Sequence, residues 1–180
     1  MITAQQKRKE NIAEYILYMF QIEDLIRAFQ FDLKKIENQL VSQYRVDEDK
    51  RAEILNWYKN LCAMMQKEGI QEKGHLQFLL NQVNDLNELH LKLMETRINN
   101  EYSVVFQSVS GLITELNLKG NSVKNDLQIS LDAIYGYLLL KIQQKNVTAE
   151  TTDAIKRLSN WLGLLSKLYS DFETGDLEFE

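Results

Sequence analysis

The sequence predicts an all-α fold, namely a single-domain bundle of six or seven mostly antiparallel helices. The 180 residues contain no proline and only seven glycines, so residues that interrupt helices are rare. Apolar residues recur at spacings of three and four along nearly the whole chain, and no segment alternates with period two for long. The connections between these periodic stretches are short, which favours antiparallel packing of consecutive helices.

The first predicted helix runs over residues 4–29, and a second runs over residues 32–44. The apolar phase from Leu25 to Leu40 is unbroken, which favours one continuous helix. Phe31 is out of phase and Asp32 is a good N-cap, which favours a break. We expect a break or a kink at residues 30–32.

Five further helices follow, bounded by residue types that cap helices. Ser, Thr, Asp and Asn side chains accept hydrogen bonds from the first N–H groups of a helix, and glycine suits the left-handed position beyond its end. Gly69 is expected in that position, and the segment "GIQEKG" that it opens is predicted to be a loop. The helices are expected at 48–67 after Asp47, at 75–97, at 101–118 after Asn99 or Asn100, from a cap at Asn121 or Ser122 to 144, and at 149–172 after Thr148.

Gly136 lies inside one of these helices, in the segment "AIYGYLLL". A glycine in a helix interior costs about 1 kcal/mol relative to alanine. We expect this cost to be offset by the close approach of another helix, in the chain or in a dimer.

Residues 1–170 are predicted to form the bundle, and residues 171–180 an acidic C-terminal tail. In this tail, "DFETGDLEFE", acidic residues alternate with apolar ones. A frayed end is the usual state of a terminus. The alternative is that Leu177 and Phe179 dock into a groove of this chain or of a partner, with Phe172 as a third candidate partner-binding residue.

Composition argues against several classes of function. The net charge of −5 provides no positive field for nucleic acid or an anionic membrane surface, so neither partner is expected. The longest wholly apolar runs have about six residues, whereas a membrane-spanning helix needs about 20. The opening "MITAQQKRKENIAEY" lacks the small-residue cleavage site of an export signal. Cys62 is the single cysteine, so no intramolecular disulfide can form. Because the sequence also shows no export signal, we expect a cytoplasmic protein.

No arrangement of residues in the sequence predicts a metal site, a cofactor or a catalytic centre. Glu72 and His75 have the Glu-x-x-His spacing of di-iron bundles, but that chemistry needs a second such motif and two further glutamates. The chain has only two histidines, so the ligand count fails. Neither the glycine patterns of nucleotide-binding loops nor the Gly-x-Ser-x-Gly motif of hydrolases occurs. We expect no metal and no cofactor, and favour a non-enzymatic function.

Charged residues interrupt the apolar segment "YMFQIEDLIRAF", residues 18–29. Arg27 is four residues after Glu23 and three after Asp24, so on a helix its guanidinium can reach either carboxylate. The favoured interpretation is an intrahelical ion cluster that fixes the helix among its neighbours. The alternative is a polar pocket between helices, in which Glu23 binds a ligand or a metal.

His90 occupies a position in the apolar stripe of its helix, at three-and-four spacing from Leu86 and Leu93. We favour a hydrogen-bonded core histidine. The alternative is a catalytic or switching residue, because the charge of a histidine changes near neutral pH. If the chain is an enzyme or binds a small ligand, the candidate residues of an inter-helix pocket are Tyr15, Tyr18, Glu23, Asp24, Arg27 and His90.

The stretch "AQQKRKENIAEYILYMFQIEDLIRAF", residues 4–29, resembles the start of a family of bacterial proteins of about this length, a domain of unknown function found in Bacteroidetes. The resemblance extends over the whole chain. It implies a small, all-helical cytosolic protein and supplies no catalytic motif. With the excess of apolar helix surface, this favours a non-enzymatic protein that acts as a homodimer or as the partner of another protein.

Overall fold

The computed structural model describes residues 2–120 and 124–179, and the predicted all-α, single-domain class is confirmed. These residues contain eight α-helices, rather than six or seven, and no strand. None of the helices in these ranges combines the length and the apolar character that crossing a membrane requires. The helices are α1 (Ile2–Glu10), α2 (Ile12–Ala28), α3 (Leu33–Gln39), α4 (Glu48–Lys67), α5 (Gln77–Thr96), α6 (Asn100–Lys119), α7 (Asp126–Ile142) and α8 (Ala149–Thr174), with a 3-10 turn at Val41–Gln43.

The expected break at residues 30–32 is present. Gln30 and Phe31 both adopt left-handed backbone conformations, with φ of 55° and 62°. Asp32 then caps α3, since its carboxylate accepts hydrogen bonds from the backbone N–H groups of Lys34 and Lys35. Two consecutive left-handed residues cannot continue a right-handed helix, so α2 and α3 are separate elements.

A second break, which the periodicity does not predict, separates α1 from α2 at Asn11. The helix expected over residues 4–29 is therefore two helices. Ala13, in the first turn of α2, donates its backbone N–H to the Oγ of Ser166 at 3.2 Å. That hydrogen bond satisfies one of the N–H groups that the start of a helix leaves without an intrahelical acceptor.

Three of the predicted helix starts are confirmed by side-chain caps. Asp47, Asn99 and Thr148 each accept a hydrogen bond from a backbone N–H in the first turn of the helix that follows. At its other end α8 continues to Thr174, past the expected limits at residues 170 and 172. It ends on Gly175, whose φ of 83° is left-handed, so the tail beyond the helix is shorter than predicted.

α7 differs from its prediction in two respects. It begins at Asp126 with Asn125 as its N-cap, and the expected caps Asn121 and Ser122 lie outside the described residues. The close approach of another helix expected at Gly136 is not found, because a Cβ added there would have no atom of the described chain within 4 Å. Packing within the described residues therefore does not explain this glycine.

The contacts of the chain group into two compact units. The first comprises residues up to Arg8 together with Glu14–Asn81. In it α3 and α4 pack against each other and against the 3-10 turn. The apolar side chains at the centre of its core include Ile16, Met19, Ile26, Ile36, Met65, Leu76 and Leu79.

The second unit comprises Lys9–Ala13 and the residues from Gln82 onward, and in it α6, α7 and α8 pack pairwise. A wide apolar stripe on α8 lets this helix contact two neighbours at once. Tyr102 of α6 and Trp161 of α8 are the largest fully buried side chains of the unit.

The end of α4 depends on the left-handed Gly69, with φ of 70°. Its N–H donates to the carbonyl of Gln66, and the N–H of Ile70 donates to the carbonyl of Met65. This pair of bonds is a Schellman motif, in which a residue with a Cβ is strained.

Replacing Gly69 with alanine is expected to lower the free energy of unfolding by about 1 kcal/mol or more, because alanine tolerates positive φ poorly. The matched control is Gly163→Ala in α8, where an added Cβ meets no atom of the described residues within 4 Å. Alanine should raise the free energy of unfolding there by about 0.5–1 kcal/mol, since it is the better helix former. Urea denaturation measures both variants, and effects of the same sign would contradict the role of Gly69.

Candidate functional site

The carboxylate of Glu23, in the middle of α2, is fully buried and holds the segment that leads into α5. Its Oε1 accepts a hydrogen bond from the backbone N–H of Leu76 at 2.8 Å, and its Oε2 lies 2.6 Å from Nδ1 of His75. Because an ionised carboxylate only accepts hydrogen bonds, Nδ1 carries the hydrogen in this pair. Both carboxylate oxygens thus have donors, as a buried charge requires.

His75 is held on two sides. Its Nδ1 bonds to Glu23, and its ring stacks on that of Phe20 with centroids 3.6 Å apart and an interplanar angle of 20°. With the hydrogen on Nδ1, a neutral ring keeps a lone pair on Nε2, which can accept a hydrogen bond. A histidine oriented by a carboxylate is the arrangement of general-base pairs. Neither of the two cavities described below is lined by His75.

Arg27 does not pair with Glu23, which corrects the expected ion cluster. Its guanidinium pairs with Asp24 at 2.8 Å and donates hydrogen bonds to the backbone carbonyls of Ile70 and Gly74. The helical spacing allowed both acidic partners, but loop carbonyls take the remaining N–H groups. The side chains of α2 thereby bind both the loop after α4 and the start of α5.

His90, on α5, lies in the second unit and is 2% exposed. The Nε1–H of Trp161 donates to the hydroxyl oxygen of Tyr102 at 3.1 Å, and that hydroxyl lies 2.7 Å from Nδ1 of His90. Because Nε2 of His90 faces the carboxylate of Asp126, whose Oδ2 is 3.9 Å away, we assign the hydrogen of His90 to Nε2, so that Nδ1 accepts from the Tyr102 hydroxyl. The ring of Phe106 packs on the imidazole, with centroids 4.5 Å apart.

Burial lowers the pKa of His90, and the carboxylate of Asp126, whose Oδ2 is 3.9 Å from Nε2, opposes this effect. Burial also raises the pKa of Tyr102 well above its ordinary value. Both side chains are therefore neutral near pH 7. The geometry is that of the hydrogen-bonded core histidine that the sequence favoured, and His90 belongs to a different unit from Glu23.

A cavity of about 350 Å³ lies in the first unit, lined by residues of α2, the 3-10 turn and α4 and by Leu40 and Tyr44, which flank the turn. Tyr18, Tyr44 and Tyr58 line it, and Tyr44 makes hydrogen bonds with the hydroxyls of the other two. Burial, reinforced by Tyr44, raises the pKa values of Tyr18 and Tyr58 well above that of an ordinary phenol. These two phenols are therefore protonated at neutral pH. We call this space the tyrosine cavity.

A second cavity, of about 440 Å³, lies in the second unit and is lined by residues of α5 and α8, among them Lys92 and Phe172. The tail folds back beside it. The ring of Phe179 lies 5.8 Å from that of Phe172, and the Nζ of Lys92 lies 4.3 Å from the Phe179 ring centroid. The N–H of Leu177 donates to the carbonyl of Asp171. The ring of Phe179 therefore contacts residues of α5 and α8, whereas for Leu177 the structure shows this local hydrogen bond.

The structure does not bring the predicted pocket residues together at one place. Tyr18 lines the tyrosine cavity, whereas Tyr15 lines neither cavity and has its pKa raised by burial. Within residues 2–120 and 124–179, no group of three His, Cys, Asp or Glu side chains could hold a metal ion. Sequence reasoning missed Tyr44 and Tyr58, because a tyrosine on an apolar stripe indicates only burial. It also missed the true partner of His75, because that partner is 52 residues away.

Comparison with known proteins gives one match. A family model described as a domain of unknown function (DUF4924) matches residues 1–176, which is nearly the whole chain and includes both units. No curated protein and no solved structure matches the chain.

Replacing Glu23 with alanine is expected to lower the free energy of unfolding by about 1–3 kcal/mol, because the N–H of Leu76 loses its buried acceptor. Glu23→Gln is the matched variant. Its amide oxygen can still accept from Leu76 and its NH₂ can donate to Nδ1 of His75, so a smaller loss is expected. Urea denaturation followed by circular dichroism measures both. Equal losses would contradict the stabilising role assigned to these two hydrogen bonds.

Acidification is expected to destabilise the protein through His90. An unfolded histidine takes up a proton below about pH 6.5, whereas burial lowers the pKa of His90 in the folded chain. Its contribution is therefore complete above about pH 6.5 and is lost as the pH falls, by at most about 1.4 kcal/mol per pH unit.

The measurement is the free energy of unfolding from pH 7.5 to 5 for the wild type and for His90→Gln. Glutamine does not titrate in this range, and its amide oxygen can accept from Tyr102. The wild type is expected to lose more stability on acidification than the variant does. Parallel curves would contradict this assignment.

Proposed function

We propose that this chain, which belongs to the family described as a domain of unknown function (DUF4924), is a non-enzymatic, cytoplasmic helical protein that functions as a homodimer. The observation that supports the proposal is the outward face of α7. Ala133, Gly136 and Leu140 lie on this face at helical spacing, and we call them the α7 strip. Gly136 and Leu140 are exposed and Ala133 is half-buried.

The α7 strip has the composition of a buried helix face. The ten residues 133–142 contain one charged side chain, Lys141, whereas the exposed face of a helix ordinarily carries charged and polar residues. Ile142 on the same helix is 67% exposed. An apolar helix end that the described part of the chain leaves open is typical of an interaction surface.

Gly136 favours a second helix as the occupant of this surface. It weakens α7 by about 1 kcal/mol relative to alanine, and nothing in the described chain approaches it within 4 Å. A residue without a Cβ lets another helix axis come close. In a two-fold symmetric dimer, a residue at the symmetry axis contacts the same residue of the other copy. If the two α7 helices cross at Gly136, the glycine of each chain leaves room for the helix of the other. A second copy of this chain is therefore the proposed partner.

The test is to measure the mass of the protein in solution for the wild type and for a variant at Gly136. The wild type is expected to show twice the chain mass of 21.1 kDa by light scattering after gel filtration. Gly136→Gln puts a longer side chain at the centre of the α7 strip while improving helix propensity. The dissociation constant of the dimer should therefore rise by at least about tenfold without loss of folded structure.

The matched control is Gly111→Gln in α6. Gly111 is also exposed, and a Cβ there also meets no atom within 4 Å in the part of the chain that the structure describes. Its substitution is expected to leave the dimer unchanged. A wild type that is monomeric at all concentrations, or equal effects of the two substitutions, would overturn the proposal.

A further inference from the structure

We propose that the tyrosine cavity binds a small, uncharged molecule that has an apolar body and an amide-like hydrogen-bonding group. This inference concerns the first unit and is independent of the homodimer, which rests on α7 of the second unit. It rests on three observations: the volume of the cavity, the absence of charge in its lining, and the grouping of its polar side chains.

The volume suits a small molecule. Pockets that bind such ligands measure about 300–1,000 Å³, and the tyrosine cavity measures about 350 Å³. Its walls come from α2, the 3-10 turn region and α4, so three separate elements fix its shape. Binding sites built on regular elements are better preorganised than sites on mobile loops.

The apolar part of the lining selects an aromatic or aliphatic body. Ile22 and Leu25 come from α2, and Leu40 is the C-cap residue that follows α3. None of the lining residues carries a charge. An ionised ligand would lose its hydration here without gaining a counter-ion, which is costly, whereas an uncharged one would not.

The polar part of the lining selects a hydrogen-bonding group. The hydroxyls of Tyr18, Tyr44 and Tyr58 form one hydrogen-bonded chain, and a phenol oxygen that donates can also accept. Because their pKa values are raised by burial, Tyr18 and Tyr58 keep their protons at neutral pH.

Two carboxamides complete this polar part of the lining. Gln43 uses its NH₂ to donate to the carbonyl of Gln39 at 2.6 Å. Gln21 also lines the cavity. Carboxamides and phenols together present donors and acceptors to a ligand without presenting charge. An amide, which has both a hydrogen-bond donor and an acceptor, is the group complementary to this lining.

Benzamide is the first probe, and benzoate, which has the same shape and a negative charge, is its control. Binding is measured by titration with the probe followed by protein NMR chemical shifts. Benzamide is expected to bind with shifts confined to the residues that line the tyrosine cavity, and at least about tenfold more tightly than benzoate. Absence of benzamide binding, equal binding of the two probes, or shifts elsewhere would overturn the proposal.

Two matched substitutions locate the site. Leu25 lines the cavity and Met64 does not, yet both are 37% exposed in the same unit. Leu25→Trp fills the cavity and is expected to weaken benzamide binding at least about tenfold, whereas Met64→Trp should leave it unchanged. Equal effects would contradict the assignment.

Tyr44→Phe removes the hydroxyl of Tyr44 and keeps its ring, so it tests the hydrogen-bonding part of the lining. It is expected to weaken benzamide but not toluene, which has no hydrogen-bonding group. Circular dichroism melting of every variant shows whether the fold is kept. If Leu25→Trp does not fold, Tyr44→Phe decides alone, and a parallel loss of both probes would then count against the proposal.

Discussion

The buried carboxylate of Glu23 is the interaction on which the arrangement of the first unit depends. A charge without solvent is tolerated only when its lone pairs have donors, and here one backbone N–H and one imidazole provide them. One turn later on α2, Arg27 donates to the carbonyls of Ile70 and Gly74. Glu23 thus accepts hydrogen bonds from the segment between α4 and α5, and Arg27 donates hydrogen bonds to carbonyls of the same segment. A connection without regular structure therefore follows one defined path.

In the second unit, hydrogen bonds between neutral side chains link the helices. The hydroxyl of Tyr102 accepts from Trp161 and donates to His90, and these three side chains come from α6, α8 and α5. A hydrogen-bonded chain of this kind needs one relative placement of its members, because distance and angle both have to be satisfied. Apolar contacts alone tolerate many placements. The network therefore restricts how these helices pack more narrowly than the surrounding leucines do.

Helix starts that carry a side-chain cap could be predicted and the contacts of the polar residues could not, for one physical reason. A cap such as Asp47 or Thr148 acts through hydrogen bonds to residues two or three positions away, so its signal is local. The partner of Glu23 is 52 residues distant, and Arg27, at helical spacing, was the better local candidate. His90 was placed correctly in the core because periodicity reports burial. Which side chains contact His90 depends on how the helices pack, and a local sequence pattern does not show this. The same holds for which residues meet in the tyrosine cavity.

The two tryptophans of the chain are divided between the units, one in each. Trp57 is half-buried with its ring 5.0 Å from that of Tyr58, whereas Trp161 is fully buried and hydrogen-bonded. Indoles in such different surroundings emit at different wavelengths, the enclosed one further to the blue. The chain thus contains its own pair of optical reporters. Loss of structure in one unit can be separated from loss in the other without any label, so the degree to which the two units unfold together is directly observable.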